Sequence, residues 1–486
     1  MAKITTIIDI GSNSMRMVVF KKTSRFAFHL INESKSKVKI SEGCYENNGN
    51  LQPIPMQRAY DALKSFLEIA KNLKSRKILC VATSALRDAP NKKEFLSRIS
   101  KELKLNIKVI DGKTEALYGG IATLNLLDCK DFTTVDIGGG STEFAFIKDG
   151  NIVNTVSLDI GTVRIEELYL KNNDIEGAQK FIISQLESIE EKMPTIVGLG
   201  GSARALSRII KKNDDYPLDN LHGFEYKAKE KLPFFKSIIE AKTNSELKKL
   251  GVEKDRYDTI SSGTIIFKMI VQYFEVQKVI TSAVGVREGV YLSDILRTSN
   301  YKFPANFNVS VRSLLDRYVD DESQSAYLGN NARKIFEALK PLHKLDEKYR
   351  SILIIASKLE QIGVSLNFDR NEDHAFWYIL NGLTYGFTHE DKMLIATIAR
   401  FTKKSLPKKK NIKRFQSLLP HIKVVRWLNF MMTLNISLNT EFSKSKYEYS
   451  LDENKLMIDS TSSKQYIVNR ELEKIKAPVD LILEYK

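Results

Sequence analysis

The strongest constraint on the fold of this chain is a short motif that occurs twice. Residues 7–20 read IIDIGSNSMRMVVF and residues 134–147 read TVDIGGGSTEFAFI. Each copy is an apolar run that ends in aspartate, then glycine and small hydroxyl residues, then a second apolar run. The aspartates, Asp9 and Asp136, are 136 − 9 = 127 residues apart, which is the size of a domain and not of a solenoid repeat. The repeat therefore predicts two similar domains that face each other across a cleft.

Both turns have the composition of a phosphate site. Glycine lets the backbone approach a ligand closely, and successive N–H groups in such a turn can point at one anion. The alternative is a tight hairpin turn with an incidental aspartate, but two copies at domain spacing favour binding. The residues expected to form the phosphate site are Asp9, Gly11, Ser12, Asn13, Ser14, Gly138, Gly139, Gly140 and Ser141.

Apolar and helical periodicities place these turns in an α/β fold. Strands are predicted over 5–8, 15–20, 77–81, 107–110, 133–136, 143–147, 195–199 and 278–281. Helices are predicted over 55–72, 92–103, 113–127, 174–193, 201–211 and 260–274. After Leu296 the polar segment TSNYKFPANFN predicts a linker, and most of the remaining chain has helical periodicity. We therefore predict three domains, over 1–125, 126–300 and 301–486.

Composition and charge narrow the class of protein. The chain has 486 residues and three scattered cysteines without a CxxC pair, which argues against a secreted disulfide scaffold or a cysteine-based zinc ribbon. No apolar run approaches the ~18 residues of a membrane span. Asp9 interrupts the N-terminus too early for a secretory signal, so we expect a cytoplasmic protein without a membrane partner.

An excess of positive charge favours polyanionic partners. Lysine and arginine outnumber aspartate and glutamate by 75 to 59, a net charge of +16. No acidic residue occurs between Asp391 and Glu441, so the 400–426 segment is strongly basic. Three interpretations of that segment stay open: a guide for a polyphosphate chain, a nucleic-acid surface, or a solvated surface.

The motifs together resemble the exopolyphosphatase / guanosine pentaphosphate phosphohydrolase family, within the acetate/sugar kinase–heat-shock–actin superfamily. Beyond the two turns, the resemblance is carried by VATSALRDAPN (81–91), DGKTEALYGG (111–120), SLDIGTVRIEELYL (157–170), VGLGGSARAL (197–206), LHGF (221–224) and AVGVREGV (283–290). It runs colinearly over residues 4–296. It implies two ribonuclease H-like (actin-like ATPase) lobes around a cleft. It also implies hydrolysis of terminal phosphate from inorganic polyphosphate, or of pppGpp to ppGpp.

The resemblance assigns the catalytic glutamate to Glu115. Such a group would direct and deprotonate a water molecule for in-line attack on the terminal phosphate. Spacing alone favours a simpler interpretation, a carboxylate that complements the N-terminus of a helix. The family often has an arginine two residues later, where this chain has Leu117.

Asp136 and Glu143 are implied as further catalytic groups and as the holders of Mg²⁺. They flank the second turn, seven residues apart, and carboxylate oxygens suit this hard cation. The alternative for Glu143 is a solvated strand residue. In the first repeat Arg16 takes the position of Glu143, so only the second turn offers the carboxylate pair.

Three arginines lie in the matching motifs. Arg87 is implied to grip phosphate through its planar guanidinium, the alternative being an ion pair with its neighbour Asp88. Arg204, in a glycine-rich turn, is implied as a contact for a nucleotide or for the polymer. The glycines around Arg287 suggest close packing, so we interpret Arg287 as structural.

The C-terminal third resembles a degenerate HD domain. IIASKLEQIGVSL (354–366) fits the helix that carries the His-Asp dipeptide of HD phosphohydrolases, but this chain has Leu359 and Glu360 there. His374 and His389 do not restore that motif, so we expect no second hydrolase site. The domain is instead expected to bind substrate or to form a homodimer. Two other functions stay open for the whole chain, a small-molecule kinase of the same superfamily and a polyphosphate or nucleotide sensor without turnover.

Overall fold

The computed structural model describes residues 3–402, 406–460 and 465–485 of the chain. They form two compact units, of which the first ends at Phe307 and the second begins at Asn308. None of the described helices is long and apolar enough to cross a membrane. The predicted domain ranges 1–125, 126–300 and 301–486 stay predictions beside this division.

The first part of unit one is a five-stranded sheet with helices. Its elements are β1 (Ile4–Ile10), β2 (Met15–Lys22), β3 (Phe28–Ser36), α1 (Pro53–Asn72), β4 (Lys77–Ala82), α2 (Ser84–Asp88), α3 (Lys92–Leu103), β5 (Ile107–Val109) and α4 (Gly112–Leu126). The strand order is β3-β2-β1-β4-β5, with β1 to β3 antiparallel and β4 and β5 parallel to β1. Apolar residues of β1 and β2 pack under α1 and α3 in one core.

The second part repeats this plan with six strands. Its elements are β6 (Phe132–Ile137), β7 (Thr142–Lys148), β8 (Asn151–Leu158), α5 (Thr162–Leu168), α6 (Ile175–Leu186), β9 (Thr195–Leu199), α7 (Gly200–Asn213), β10 (Phe224–Lys227), α8 (Ala228–Glu240), α9 (Asn244–Lys249), α10 (Ile260–Tyr273), β11 (Lys278–Thr281) and α11 (Val286–Ile295). The order β10-β11-β9-β6-β7-β8 contains β8-β7-β6-β9, the counterpart of β3-β2-β1-β4. The sequence repeat is therefore a repeat of structure.

Two helices cross in direct backbone contact between these sheets. A Cβ atom on Gly289 of α11 would lie 1.9 Å from the carbonyl oxygen of Tyr118 on α4, so only glycine fits there. Helix α4 begins at an N-cap, Asp111, whose Oδ1 accepts from the N–H of Thr114 at 2.6 Å. This crossing fixes the first turn of α4, which carries Glu115, against α11, which carries Arg287.

Unit two is mainly helical and ends in a small sheet. Its elements are α12 (Val309–Tyr318), α13 (Glu322–Ala338), α14 (Lys340–His343), α15 (Lys348–Lys358), α16 (Asn371–Gly382), α17 (His389–Arg400), α18 (Lys409–Ile412), α19 (Ile422–Ser437), β12 (Tyr447–Asp452), β13 (Lys455–Ser460), α20 (Tyr466–Leu472) and β14 (Ile482–Tyr485). Strand β13 pairs with β12 and β14.

Most predicted elements of the first 300 residues are present, and the differences have local causes. Strands β9 and β11 and helix α3 have the predicted bounds. The helix predicted to end at 193 ends at Leu186, ahead of a polar segment that leads to Pro194. The predicted linker is not free of unit one, because Phe303 and Phe307 pack their rings 6.5 and 5.9 Å from that of Phe26.

Candidate active site

The two repeated motifs form the same turn. In the first, the N–H of Gly11 donates to the carbonyl of Ser14 at 3.3 Å, and in the second that of Gly138 donates to Ser141 at 2.9 Å. A Cβ on Gly11 or Gly138 would lie 3.2 or 3.0 Å from the same carbonyl oxygens, which is why glycine stands at both positions. The internal repeat thus predicts the local backbone correctly.

The turns meet at one cleft. A Cβ on Gly139 would lie 2.5 Å from the Cβ of Ser12, so the tips of the two turns are in contact. Residues of both turns line a cavity of about 150 Å³. In the part of the chain that the structure describes, the backbone N–H groups of Ser12, Asn13, Gly139 and Gly140 donate to no protein acceptor. These donors are available to an anion in the cleft.

The residue opposite each aspartate differs between the repeats. Strand register places Asp9 beside Arg16 and Asp136 beside Glu143. Burial raises the pKa of Asp9 to about 6, with Arg287 opposing and Asp136 adding to that rise. Burial also raises the pKa of Asp136, against the neighbouring Arg204 and Arg287. The first turn therefore pairs its aspartate with a cation, and the second pairs it with another carboxylate.

Glu115 lies in the first turn of α4 and lines the cleft. Its side chain is almost buried, and Oε2 accepts from Nη1 of Arg87 at 3.2 Å. Burial, with the nearby carboxylate of Glu143, raises the pKa of Glu115 well above its ordinary value, while Arg87 lowers it. A carboxylate that merely complemented a helix N-terminus would face solvent, and this one does not.

Glu143 is a buried carboxylate and not the solvated strand residue of the alternative interpretation. It is 2 % exposed, and its Oε1 accepts from the hydroxyl of Ser157 at 2.9 Å. Burial raises the pKa of Glu143 to about 8; Asp136 adds to the rise, and hydrogen bonds from Ser141 and Ser157 oppose it. Glu115, Asp136 and Glu143 thus bring three carboxyl groups close together, and two of them, Glu115 and Asp136, line the cleft.

Arg87 joins groups from both sheets. Its Nη1 donates to Glu115, its Nη2 donates to the hydroxyl of Ser141 at 3.1 Å, and its Nε faces Asp88 at 3.3 Å. The local ion pair with Asp88 is therefore present, but it uses only one edge of the guanidinium. The other edge reaches the second turn, where the phosphate site is predicted.

A group of cleft arginines was missed or undervalued at the level of sequence. Arg16, Arg204, Arg256 and Arg287 all line the cavity. Arg287, interpreted as structural, is 5 % exposed and donates to Glu33 at 2.8 Å; Glu33 also faces Arg16 at 3.5 Å. Burial and the nearby Arg287 and Arg16 lower the pKa of Arg204 to about 10. Because these four arginines lie close together, the cavity has an excess of positive charge that a bound anion would balance.

The predicted contact Arg204 is held by the backbone. Its Nε donates to the carbonyl of Ser282 at 2.8 Å, and its Nη2 lies 3.5 Å from that of Val284. The repeat marks the position of Arg16 and a family motif contains Arg287, but no sequence signal points to Arg256, which comes from the 3₁₀ turn Lys254–Arg256. Only the three-dimensional fold brings them together.

Ion pairs close the rim of the cleft. Lys35 of β3 faces Asp255 at 3.4 Å, while Lys37 and Lys39 face Asp258 at 3.1 and 2.9 Å. The lysines belong to the first sheet and its following loop, and the aspartates belong to the segment beside Arg256. We call these five residues the rim pairs.

The C-terminal predictions have separate outcomes. Glu360 follows α15, His374 lies on α16, and His389 begins α17; no group of three or more histidine, cysteine, aspartate or glutamate side chains in the described residues is arranged to hold a metal ion. The HD resemblance stays a prediction. Of the basic 400–426 segment, Lys403 and Lys404 lie outside the described residues, whereas Lys408 and its basic neighbours are exposed.

Two sheets of equivalent topology, with paired glycine turns at the cleft between them, define the two-lobed fold of the actin-like ATPases. The chain belongs to the Ppx/GppA phosphatase family, whose model matches residues 18–298, and the model described as Ppx/GppA phosphatase, domain III matches residues 308–477. The predicted family and α/β two-lobed fold with a further C-terminal domain are thereby confirmed.

Individual relatives agree with this assignment. A guanosine-5'-triphosphate,3'-diphosphate pyrophosphatase from Aeromonas hydrophila is 26% identical over 407 residues, which are 80% of this chain and 79% of the relative. The crystal structure of an Aquifex aeolicus Ppx/GppA family member has a TM-score of 0.54 and 28% identity, over 62% of this chain and 99% of that chain. An exopolyphosphatase from Cytophaga hutchinsonii shares the fold, with a TM-score of 0.56 and 21% identity over 60% of this chain and 97% of that chain.

Proposed function

We propose that this phosphatase hydrolyses terminal phosphoanhydride bonds, releasing phosphate from inorganic polyphosphate, or converting pppGpp to ppGpp, or both. The observation that carries the proposal is the contact between the two aspartate-led turns at one cleft. Phosphoryl transfer needs positioning and charge stabilisation above all, and this cleft offers both. The names of the relatives, a guanosine pyrophosphatase and an exopolyphosphatase, support the two substrate classes.

The anionic substrate would be held by backbone amides and guanidinium groups. The N–H groups of Ser12, Asn13, Gly139 and Gly140 donate to no protein acceptor in the described chain, and such a concavity binds phosphate oxygens. Arg87 would add a fork of donors beside Ser141. The positive charge of Arg204 and Arg287 would be balanced by further phosphates of the same substrate.

Glu115 would act as the base. It lines the cleft next to Arg87, and burial raises its pKa well above that of a free glutamate, so that it takes up a proton more readily. A base works best when its pKa is close to the operating pH, because it is then both deprotonated and able to accept a proton. The proton of the attacking water would pass to the Glu115 carboxylate, and the water oxygen would form the new bond to phosphorus.

The site also suits Mg²⁺. Asp136 and Glu143 are adjacent carboxylates on neighbouring strands. Burial raises the pKa of both, and Asp136 adds to the rise at Glu143, a charge arrangement that a cation relieves. Two protein carboxylates match the habit of Mg²⁺ to keep waters and bind phosphate oxygens as its other ligands. When bound, the ion would neutralise charge on the transferred phosphoryl group.

The test compares Glu115→Gln with the wild-type protein and with Glu94→Gln, an exposed glutamate in the first turn of α3. Each protein receives Mg²⁺ with long-chain polyphosphate or with pppGpp, and orthophosphate release is measured. Loss of the base lowers kcat by ~10²–10⁴ at an unchanged melting temperature. Glu94→Gln leaves kcat unchanged because it removes only a carboxylate at a helix N-terminus.

Three outcomes contradict the proposal. Full activity of Glu115→Gln on both substrates would remove Glu115 from the mechanism. Transfer of labelled phosphate from ATP to an acceptor, without free phosphate, would favour the kinase. Tight binding of pppGpp or polyphosphate by the wild-type protein with no phosphate release in Mg²⁺ would favour the sensor.

A further inference from the structure

The strongest unexplained feature outside the cleft is an aromatic groove in unit two. It lies between α12 and α16 and has a cavity of about 460 Å³, within the range of small-molecule sites. We call it the α12–α16 groove; its lining includes Leu314, Arg317, Tyr318, Leu366, His374, Trp377, Tyr378 and Asn381. A Cβ on Gly382 would lie 2.6 Å from Leu314, so the two helices meet closely at its base.

Aromatic rings form a stacking surface in this groove. The rings of Tyr318 and Tyr378 have centroids 4.5 Å apart. Trp377, one turn away from Asn381 on α16, is 53% exposed, although indole is among the largest apolar side chains. A half-exposed tryptophan that lines the same groove as the two tyrosines is a ready partner for a planar ring, because stacking would remove its apolar faces from water.

The polar groups of the groove complement an anion. The guanidinium of Arg317 stacks 4.5 Å from the ring of Tyr318 and donates to its hydroxyl at 2.7 Å. Arg317 has no carboxylate partner among the described residues, and no carboxylate lines the groove. Two acids adjacent in sequence to groove residues form ion pairs with other arginines, Asp316 with Arg312 and Asp373 with Arg400.

One amide gives the groove a directed acceptor. The Nδ2 of Asn381 donates to the carbonyl of Trp377 at 2.9 Å. That bond fixes the amide plane and leaves Oδ1 as an acceptor for an exocyclic amine. An entirely apolar ligand would desolvate Arg317 and Asn381 without compensation, which disfavours a lipid or an aliphatic peptide segment.

We infer that the α12–α16 groove binds a purine nucleoside phosphate, a site distinct in chemistry from the amide-lined cleft. The base stacks on Trp377 and the tyrosine pair, and the phosphate pairs with Arg317. Purine nucleotides are the common metabolites that combine a flat aromatic ring, exocyclic donors and negative charge in one small molecule. The inference does not depend on the proposed hydrolysis, since none of these residues belongs to the cleft lining.

The test uses the full-length protein in EDTA and the intrinsic fluorescence of its two tryptophans. Trp427 is 7% exposed, so Trp377 dominates the response to added ligand. GMP and AMP are titrated as probes, with ribose 5-phosphate and guanosine as the partial ligands. We expect saturable quenching by at least one of the nucleotides, protection of the same emission from acrylamide, and no quenching by ribose 5-phosphate.

Variants separate the contributions of charge and ring. Arg317→Gln keeps the reporter and weakens nucleotide binding by at least about tenfold, the value of one charge-assisted hydrogen bond. Guanosine binding stays unchanged in that variant. Arg333→Gln, an exposed arginine of α13, serves as the matched control with wild-type binding. In Trp377→Phe the heat of nucleotide binding, measured by calorimetry, is reduced.

Several outcomes overturn the inference. Absence of saturable quenching by any of the nucleotides shows that the groove is not a nucleotide site. Equal quenching by ribose 5-phosphate shows that it recognises only an anion. Nucleotide affinity unchanged in Arg317→Gln removes the charge pairing. A ligand-free emission that varies with protein concentration shows that the groove is instead a contact between protein molecules.

Discussion

At the scale of single residues, Arg87 joins Glu115, the proposed base, to the proposed phosphate site. It contacts both Glu115 and Ser141, and its charge lowers the pKa of Glu115. Arg87→Lys keeps a charge but loses the planar fork, so we expect kcat/KM to fall by ~10–100-fold.

The pH profile of Arg87→Gln carries a second expectation. Because the Arg87 charge holds the Glu115 pKa down, its removal raises that pKa further, and the acidic limb of the kcat/KM profile moves to higher pH. Profiles of wild type and variant that coincide after scaling would show that Arg87 does not act on the base.

Glu360, at the start of the 3₁₀ helix Glu360–Ser365, is expected to make the stability of unit two depend on pH. Burial, with the nearby Glu372, raises the pKa of Glu360 to about 7. The folded state then binds the proton of Glu360 more tightly than the unfolded state does. The contribution of the protonated Glu360 to the free energy of unfolding is therefore full below about pH 4.5 and is lost as pH rises through 7. Glu360→Gln should stabilise the protein at pH 8 by about 1–3 kcal/mol and much less at pH 5.

Thermal or urea unfolding at both pH values measures the effect of Glu360→Gln. Glu390→Gln, in the first turn of α17, is the control, because the Glu390 side chain is exposed to solvent. An equal change in stability at pH 5 and pH 8 would mean that Glu360 does not retain its proton in the fold.

The local sequence was sufficient to predict the two glycine turns, but it did not predict which charged side chains surround them. Gly11 and Gly138 form the same tight turn, in which a Cβ atom would crowd a carbonyl oxygen, and the sequence repeat predicts this shared turn directly. Glu115 was identified through the family resemblance, since its spacing alone suggested only a helix N-terminus. Arg16 and Arg287 meet through Glu33 across more than 250 positions of sequence, a contact that no local pattern encodes.

At the scale of elements, the crossing of α4 and α11 sets the geometry of the cleft. Gly289→Ala introduces a methyl group where 1.9 Å separates the Cβ position from the Tyr118 carbonyl oxygen. The helices must separate, which costs ~1–3 kcal/mol and shifts Glu115 relative to Arg287. We expect a lower melting temperature and a lower kcat.

Gly119→Ala on α4 is the matched control for that substitution. Its added Cβ would lie 3.3 Å from the end of the Leu199 side chain, which can move. If Gly119→Ala and Gly289→Ala had equal effects on kcat, the close crossing would have no special part in placing Glu115.

Element prediction succeeded where burial made the pattern simple. Strands β9 and β11 are continuous apolar runs and matched their predicted bounds, but β3 and β8 were not predicted. Both strands lie at the outer edge of their sheets and mix polar with apolar residues. Their hydrophobic pattern therefore cannot be distinguished from that of a loop. The predicted linker contains the boundary between the two units, and Phe303 and Phe307 pack its end against Phe26 of unit one.

At the scale of the whole molecule, unit one contains the complete cleft. All residues that line it precede Asn308, and the Aquifex family member aligns over 99% of its own length with only 62% of this chain. A protein ending at Phe307 should fold and release phosphate from tripolyphosphate with kcat within about threefold of the full chain, because no interaction made only in the transition state is lost.

Kinetics with long polyphosphate test whether the basic residues of unit two bind the polymer. Exposed residues such as Lys408, Lys410 and Lys413 can bind a polymer through its repeated charge, with strong salt dependence. We expect the full chain to have the lower KM for long polyphosphate at low salt, and the advantage to vanish near 0.5 M NaCl, where surface charges are screened. Equal KM values at low salt would assign the basic segment to the solvated surface.

The rim pairs have a consequence for how a polymer enters. Lys35, Lys37 and Lys39 lie beside the segment that carries the cleft residue Arg256. Their side chains pair with the carboxylates of Asp255 and Asp258, and Lys37 also donates to the backbone carbonyl of Asp255. We expect a polyphosphate end to offer these lysines a partner of the same type at higher charge density, in place of Asp255 and Asp258. The polyanion itself would therefore open the ion pairs at its entrance, whereas a neutral solute of equal size has no charge with which to displace the aspartates.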